Sequence, residues 1–181
     1  MHADNIDQGF LATLGIPFLS LMYRAIDEAP GSVLLTEEQH GRVVGFVSGG
    51  DGMGAIYRRM LRHPLRLVVA LLPSLVRPSR LKRILEILRY GGGTSTTHDL
   101  PRAELLSIAV DVDARGSGVA ERLYRRLEEH FAGRGLSAFR ITVGDSLAPA
   151  HRYYRRMGAV PAGRVEVHAG EGSVVYVQEL D

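Results

Sequence analysis

Between residues 105 and 131 an apolar run, a glycine-rich turn and an amphipathic pattern follow one another, and this succession constrains the fold most strongly. Residues 105–110 form a compact apolar run, as expected of a strand that is covered on both faces. The turn at 115–120 contains two glycines, and the residues after it have one apolar and one charged helical face. The apolar face carries Val119, Leu123, Leu127 and Phe131. The chain is therefore predicted to contain a strand–turn–helix unit of an α/β protein.

The same alternation continues downstream of this unit. Residues 139–143 alternate apolar and polar side chains, as a strand does. Residues 150–157 place their apolar members on one helical face, and Gly158 is expected to end that helix. Valines on either side of a turn at 169–173 predict a closing hairpin. We expect a mixed sheet.

The first fifty residues predict two helices and then a hairpin. Apolar residues, among them Phe10 and Leu11, recur at helical spacing on either side of a break at residues 15–17. Two β-branched runs, at 32–36 and 43–47, flank a polar turn. The next five residues include three glycines and are expected to end the strand pattern.

Residues 51–98 differ from the rest of the chain in charge. They hold nine basic and two acidic side chains, a net charge of +7, whereas the remainder carries −5. Leucine-rich stretches predict about three short helices, cut at Pro64, Pro73 and Pro78, before a flexible linker at 91–97. The longest apolar run has roughly ten residues, which is too few to span a membrane.

Composition excludes several kinds of site. The chain has no cysteine, which removes disulfides, thiolate metal ligands and cysteine nucleophiles. Its seven histidines show neither H-x-x-x-H nor H-E-x-x-H spacing, so we expect no metal site. The overall net charge of +2 argues against a general nucleic-acid binder. Asp4 and Asp7 stand where an export signal carries basic residues, and we therefore expect a cytoplasmic protein.

The turn at 115–120 is the sharpest sign of a binding site. A glycine-rich turn between strand and helix lets the backbone approach an anion, and the first N–H groups of the helix can donate to phosphate oxygens. Glu121 stands where a dinucleotide-binding fingerprint needs its third glycine, and the Gly-Lys-Ser/Thr ending of a P-loop is missing. The alternative interpretation is that residues 115–120 form only a tight turn with a polar cap and bind no anion.

The order of elements, this turn and a tyrosine four residues before Gly158 together resemble the GNAT superfamily of N-acetyltransferases. In that family the acetyl-CoA pyrophosphate lies on a turn of pattern Arg/Gln-x-x-Gly-x-Gly/Ala, which Arg115, Gly118 and Ala120 match. The resemblance implies an α/β fold with a mostly antiparallel central sheet flanked by helices. It implies one acyl-CoA N-acyltransferase domain over residues 1–181, into which the basic helical segment is inserted.

The resemblance also implies how acetyl-CoA, the acyl donor, is held. The backbone of Ile108, Ala109 and Val110 would pair with the pantetheine arm as an added strand, and its N–H groups would polarise the acetyl carbonyl. The residues expected to hold the pyrophosphate are Arg115, Gly116, Ser117, Gly118, Val119 and Ala120. An asparagine common in the family is Leu147 here, so Asp145 or Ser146 is expected to contact the arm instead.

The mechanism implied by the resemblance is direct attack of an amine on the thioester. Glu104, at the spacing of the base in the histone acetyltransferase branch, is expected to accept the amine proton, with His98 as the alternative base. Tyr154 is expected to protonate the departing thiolate, with Tyr153 as its competitor. Pairing of Glu104 with Arg102 and simple core packing of Tyr154 are the structural alternatives.

The expected function is acetyl transfer from acetyl-CoA to a primary amine of a small molecule. A noncatalytic acyl-CoA-binding regulatory module and a protein or peptide N-acetyltransferase are the alternatives. The segment 51–98 is expected to act as a lid that favours anionic acceptors, or as an element of a homodimer. Because its arginines alternate with leucines, docking to a membrane surface or to nucleic acid is a further alternative, although we expect no nucleic-acid partner.

Overall fold

The computed structural model describes residues 14–75, 100–168 and 171–180. The helices are α1 (Ile16–Asp27), α2 (Met53–Leu61), α3 (Pro64–Leu75), α4 (Val119–Gly133) and α5 (Ala148–Arg156). The strands are β1 (Val33–Gln39), β2 (Arg42–Gly50), β3 (Glu104–Val110), β4 (Ala138–Gly144), β5 (Val160–His168) and β6 (Glu171–Glu179). The first predicted helix, the cut at Pro78, the linker at 91–97 and His98 lie outside the described residues.

The six strands form one sheet in the order β1-β2-β3-β4-β6-β5. Every neighbouring pair is antiparallel except β3 and β4. These two strands are parallel because the chain crosses over between them through α4, as a parallel pair requires. The predicted mixed, mostly antiparallel sheet flanked by helices is confirmed.

A two-residue turn joins β1 to β2. Gln39 pairs with Arg42, and His40 and Gly41 between them have φ of 52° and 74°. Two successive positive φ angles match the twist of a two-residue antiparallel hairpin. The predicted hairpin is confirmed, and both of its strands extend beyond the predicted limits.

The prediction that the strand pattern ends at residue 48 is wrong, because β2 continues through Ser48, Gly49 and Gly50. A Cβ atom at Gly49 would lie 2.7 Å from Cζ of Phe131 and 2.8 Å from Cδ1 of Leu127. The glycine therefore lets α4 pack directly on the strand. Its presence reflects close packing and not the end of an element.

One hydrophobic core lies between the sheet and α4. The predicted apolar face of this helix is 0–1% exposed, and α5 adds Tyr154 and Met157 to the same core. The core residues contributed by α4 and β4 are Val119, Leu123, Tyr124, Leu127, Phe131, Phe139, Ile141 and Val143. Tyr124 is the member that the sequence pattern did not indicate.

A second core covers the opposite face of the sheet. There α1 packs against α2 and α3, so the first half of the basic segment is integral to the fold. Its buried members include Phe18, Met22, Ile26, Ile56, Met60, Leu67 and Leu71. The predicted cut at Pro73 is wrong, since α3 runs through it to Leu75. Proline removes one backbone donor from a helix, and burial of this helix against α1 offsets that cost.

Within the described ranges, no helix combines the length and the apolar character that a membrane span requires.

We expect Gly49→Ala to destabilise the fold by about 1–3 kcal/mol, because the added methyl group overpacks a fully buried contact. Urea unfolding followed by circular dichroism measures the change. The matched control is Gly133→Ala at the end of α4, where an added Cβ meets no atom within 4 Å and no loss is expected. Equal midpoints for the two variants would contradict the close helix–strand packing.

Candidate active site

An opening lies between β3 and β4 at their C-terminal ends. The two strands pair at two positions only, Glu104 with Arg140 and Leu105 with Ile141. Both strands continue beyond these pairs, so they diverge and leave part of each edge without a partner strand. An unpaired strand edge offers N–H and C=O groups to an extended ligand.

The backbone of β3 faces this opening at alternate residues. The Asp111 N–H donates to the Val44 carbonyl oxygen at 2.8 Å, so Asp111 presents its backbone groups to β2. Because hydrogen-bonded and non-hydrogen-bonded positions alternate along an antiparallel pair, Ile108 and Val110 present theirs to the opening. Ala109 falls on the β2 side, where it pairs with Phe46.

The predicted turn connects this strand to α4. Gly116 and Gly118 both have φ of 77°, a left-handed conformation that glycine adopts without strain. The Ser117 hydroxyl donates to the Ala114 carbonyl oxygen at 2.6 Å and so holds the turn closed. Arg115 extends beside the opening, with its Nε donating to the Val110 carbonyl oxygen at 3.5 Å.

The N-terminus of α4 has the geometry of an anion-binding cradle. The first bond of the helix runs from the Arg122 N–H to the Gly118 carbonyl oxygen, so the preceding four N–H groups have no partner within the helix. No side chain caps this end. Free N–H groups at the positive end of a helix dipole suit a phosphate, and the cradle therefore fits a pyrophosphate.

Glu104 lies at the start of β3 in a charged cluster. Nη2 of Arg140 donates to its Oε2 at 3.0 Å, and the Thr142 hydroxyl donates to its Oε1 at 3.0 Å. The side chains of Glu104 and Arg140 are 16% and 24% exposed. Arg140, and not Arg102, is thus the ionic partner. The parallel pairing of β3 with β4 produces this contact, so no local sequence pattern could have indicated it.

Tyr154 lies within a cluster of aromatic rings. The ring centroids of Tyr153, Tyr124 and Tyr176 are 5.2, 6.1 and 6.5 Å from its own. Burial raises the pKa of Tyr154 well above its ordinary value, which keeps the phenol protonated at neutral pH. Within the ranges that the structure describes, its hydroxyl has no hydrogen-bond partner.

The competing tyrosine is differently placed. The Tyr153 hydroxyl donates to the Ala120 carbonyl oxygen at 2.9 Å, which ties α5 to the first turn of α4. This contact brings the tyrosine pair beside the anion cradle. The Tyr153 hydroxyl therefore has a structural role. The Tyr154 hydroxyl forms no hydrogen bond with any described residue.

Two further polar pairs fix the aromatic cluster. The Tyr124 hydroxyl donates to Oε1 of Gln178 at 3.0 Å. In the neutral imidazole of His151, Nε2 donates to the Gly144 carbonyl oxygen at 3.1 Å, and Nδ1 accepts from the Tyr176 hydroxyl at 2.8 Å. These residues are not predicted from the sequence. The only local signal was that His151 precedes Tyr154 by three residues on a helix.

Asp145 lies at the end of β4, next to the opening. Its carboxylate pairs with Arg164 of β5, and its N–H donates to the Gly172 carbonyl oxygen at 3.0 Å. The structure thus ties the Asp145 side chain and backbone to the closing hairpin, and its contact with the pantetheine arm stays a prediction. Ser146 follows it in the loop before α5.

A cavity of about 490 Å³ lies on the α1 side of the sheet, opposite α4. It is lined by Tyr23, Leu34, Thr36, Arg42, Val43, Phe46 and Asp111. The Tyr23 hydroxyl shares a hydrogen bond of 3.1 Å with Oγ of Ser107, which contacts Oγ of Ser48 at 2.7 Å. Burial raises the pKa of Tyr23 to about 12. Ser107 belongs to β3, so this cavity borders the strand that faces the opening.

A larger cavity, of about 1140 Å³, lies at the other end of the sheet. Asp51, Arg102, Arg134 and Glu179 are among its lining residues, and none of the predicted site residues contributes to it. We therefore place the candidate site at the opening. Among the described residues, no group of three His, Asp or Glu side chains could hold a metal ion.

Comparisons with known proteins agree with this geometry. The sequence profile of the Acetyltransferase (GNAT) family matches residues 4–159. A comparison with curated proteins found no match.

Several solved structures share the fold. One is a putative acetyltransferase of the GNAT family from Desulfovibrio desulfuricans, at 15% identity and a TM-score of 0.57 over 94% of this chain and 81% of that one. Another is a putative streptothricin acetyltransferase from Bacillus anthracis, in complex with acetyl coenzyme A, at 14% identity and a TM-score of 0.57 over 88% and 68%. An aminoglycoside 6′-N-acetyltransferase complexed with coenzyme A reaches 0.54 at 11% identity, over 86% and 76%.

The phenols of the aromatic cluster are expected to differ in their contribution to stability. Tyr124→Phe leaves the buried Gln178 amide without its donor and should cost about 1–3 kcal/mol. Tyr154→Phe removes a hydroxyl that has no described partner and should change the free energy of unfolding by less than about 0.5 kcal/mol. Urea titration of both variants measures the difference. A large loss for Tyr154→Phe would show that its hydroxyl is structural.

Proposed function

This chain belongs to the acetyltransferase (GNAT) family, and we propose that it transfers the acetyl group of acetyl-CoA to the primary amine of a small molecule. It is an N-acetyltransferase, and acetyl-CoA is its acyl donor. One observation supports the proposed site above all others. The strand opening and the uncapped helix end lie at the C-terminal ends of β3 and β4, and the Tyr153 hydroxyl, next to Tyr154 in the chain, bonds to the Ala120 carbonyl oxygen in the first turn of that helix.

We assign donor binding to the backbone around this opening. The N–H groups of the first turn of α4, from Gly118 to Glu121, are placed to hold the pyrophosphate, and Arg115 adds a positive charge beside them. The backbone groups of Ile108 and the Val110 N–H are placed to pair with the amides of the pantetheine arm, while the Val110 carbonyl oxygen accepts from Arg115. Asp145 is the candidate for a side-chain contact with the same arm.

We assign the proton transfers to Glu104 and Tyr154. When bound, acetyl-CoA supplies a thioester carbon that an amine can attack. Arg140 and Thr142 orient the Glu104 carboxylate, and each of its oxygens keeps a lone pair that can accept the amine proton, directly or through water. The Tyr154 phenol is protonated at neutral pH, because even the ordinary pKa of a tyrosine is about 10, and it can donate its proton to the departing sulfur. The Ile108 N–H donates to the developing negative charge on the acetyl oxygen.

Because Asp111 lies seven residues, roughly 23 Å, along the chain from Glu104, we place the acceptor over the α1 face of the sheet, extending from Glu104 toward the cavity beside Tyr23. Its volume of about 490 Å³ is within the range of small-molecule sites, and aromatic and aliphatic side chains form most of its wall. Arg42 and Asp111 add one positive and one negative group, which suits an amine that also carries an anionic group. A small acceptor therefore fits better than a peptide.

We also assign a role in acceptor binding to the basic segment, residues 51–98. Its helices α2 and α3 pack on α1, and α1 contributes Tyr23 to the cavity. We infer that these helices hold the acceptor side of the site in place, as a lid would. The homodimer and the cytoplasmic location remain predictions from the sequence.

Gly118→Val is expected to weaken CoA binding at least roughly tenfold, equivalent to about 1.4 kcal/mol. A β-branched side chain is strained at φ of 77° and would obstruct the cradle. Isothermal titration calorimetry with CoA measures the affinity. Gly135→Val is the matched control, since Gly135 has φ of 74° just beyond the opposite end of α4. Unchanged affinity in a folded Gly118→Val protein would contradict the assignment of the cradle.

Tyr154→Phe and Glu104→Gln are each expected to lower the acetyl-transfer rate 100- to 10,000-fold, typical of losing a general acid or base. Their affinity for CoA should change little. A panel of amines, assayed by release of free thiol, identifies an acceptor and then gives kcat for each variant. Tyr153→Phe is the matched control, because its hydroxyl bonds to the Ala120 carbonyl. Near-normal turnover by both variants would refute these roles.

A further inference from the structure

The corner where α2 meets α3 exposes an unusual amount of apolar surface. Leu61, Leu65, Val68 and Val69 are 49%, 81%, 54% and 63% exposed. The other large exposed hydrophobic side chains of the described residues are scattered over separate elements. We call Leu61, Leu65, Val68 and Val69 the corner patch.

Helix α3 is apolar on both of its sides. Leu67, Ala70 and Leu71 are buried against α1, whereas Leu65 and Val69 point away from it because a helix turns by about 100° per residue. A helix that is apolar all round normally has apolar surroundings on every side. At roughly 1.5 Å per residue, its 12 residues extend about 18 Å, well short of the roughly 30 Å of a bilayer core. Such a helix can lie in a membrane interface but cannot span it.

Positive charge surrounds the corner patch. Arg58, Arg62 and Arg66 are exposed and form no salt bridge with any described residue. Arg59, in contrast, pairs with Glu28 of the segment after α1, at 3.4 Å. Neither α2 nor α3 contains an acidic residue. The surface therefore combines uncovered aliphatic side chains with uncompensated arginines.

An anionic lipid bilayer is the partner that satisfies both features. Aliphatic side chains enter the boundary between headgroups and acyl chains, while the flexible arginines reach the lipid phosphates. A nucleic acid would neutralise the arginines but leave Leu65 and Val69 in water. A symmetric contact with a second copy would bring the arginines of two copies together without an acidic partner. We propose that the α2–α3 corner docks this acetyltransferase on anionic membrane surfaces.

A single tryptophan can test the docking, because the chain has none of its own. Leu65→Trp should show a blue-shifted fluorescence emission when vesicles with 30% phosphatidylglycerol are added, and no shift with pure phosphatidylcholine. The matched control is Val160→Trp, at an apolar position that is 64% exposed on β5. Absence of a shift for Leu65→Trp, or an equal shift for Val160→Trp, would overturn the proposal.

Vesicle sedimentation tests the contributions of charge and apolar contact separately. Each juxtamembrane arginine strengthens binding roughly fivefold, so Arg62→Ala/Arg66→Ala should reduce the partition coefficient roughly 25-fold. Arg152→Ala/Arg155→Ala removes the same charge from exposed positions on α5 and should change it little. Leu65→Ser/Val69→Ser should also weaken binding, and 0.5 M NaCl should weaken the wild-type protein.

Three results would overturn the proposal. One is equal vesicle binding by the wild type and Leu65→Ser/Val69→Ser. Another is binding to a DNA duplex that depends on Arg62 and Arg66 but not on Leu65 and Val69, because that indicates a nucleic-acid partner. A third is light scattering that shows a dimer which Leu65→Ser/Val69→Ser dissociates, because the patch is then an interface between copies. Circular dichroism of each variant confirms that it is folded.

Discussion

The short parallel pairing of β3 with β4 is the constraint on which the rest of the structure depends. Only Glu104 and Leu105 of β3 find partners on β4, and the ion pair of Glu104 with Arg140 closes the sheet where the strands begin to diverge. Beyond that point the backbone edge is available to a ligand. The N-terminus of α4 reaches this opening because Gly45 and Gly49 let the helix lie directly on β2. The proposed donor site is therefore the gap that forms because β3 and β4 pair only at their first residues.

The tyrosines of the aromatic cluster differ in whether their hydroxyl groups form hydrogen bonds, and this difference supports Tyr154 as the proposed acid. A buried hydroxyl normally needs a hydrogen-bond partner, and Tyr124, Tyr153 and Tyr176 have theirs in Gln178, the Ala120 carbonyl and His151. Within the described part of the chain, Tyr154 packs against these rings without such a partner, and its hydroxyl oxygen is not among the buried atoms that lack a hydrogen bond. Its neighbours thus fix the ring and leave its proton for the proposed transfer.

We assign binding of the acyl donor and binding of the acceptor to opposite faces of the sheet. The α4 side forms the larger core and presents the cradle for the acyl donor, whereas α1 covers the cavity that we assign to the acceptor. The helices α2 and α3 complete the core on that second side. Because α3 is also apolar on its outer surface, the same element that stabilises the acceptor side would hold the protein at a membrane.

The sequence by itself determined the elements whose signals are local. Periodic apolar residues defined α4, the turn glycines indicated the proposed cradle, and the resemblance to the family, which rests partly on the spacing of Tyr154 from Gly158, implied the candidate acid. Only the tertiary structure decided what surrounds them. Arg140 reaches Glu104 through a parallel pairing of distant strands, and Gly49 belongs to a strand because a helix far along the chain packs on it. Contacts between residues remote in sequence depend on how the elements pack, and no spacing along the chain encodes that arrangement.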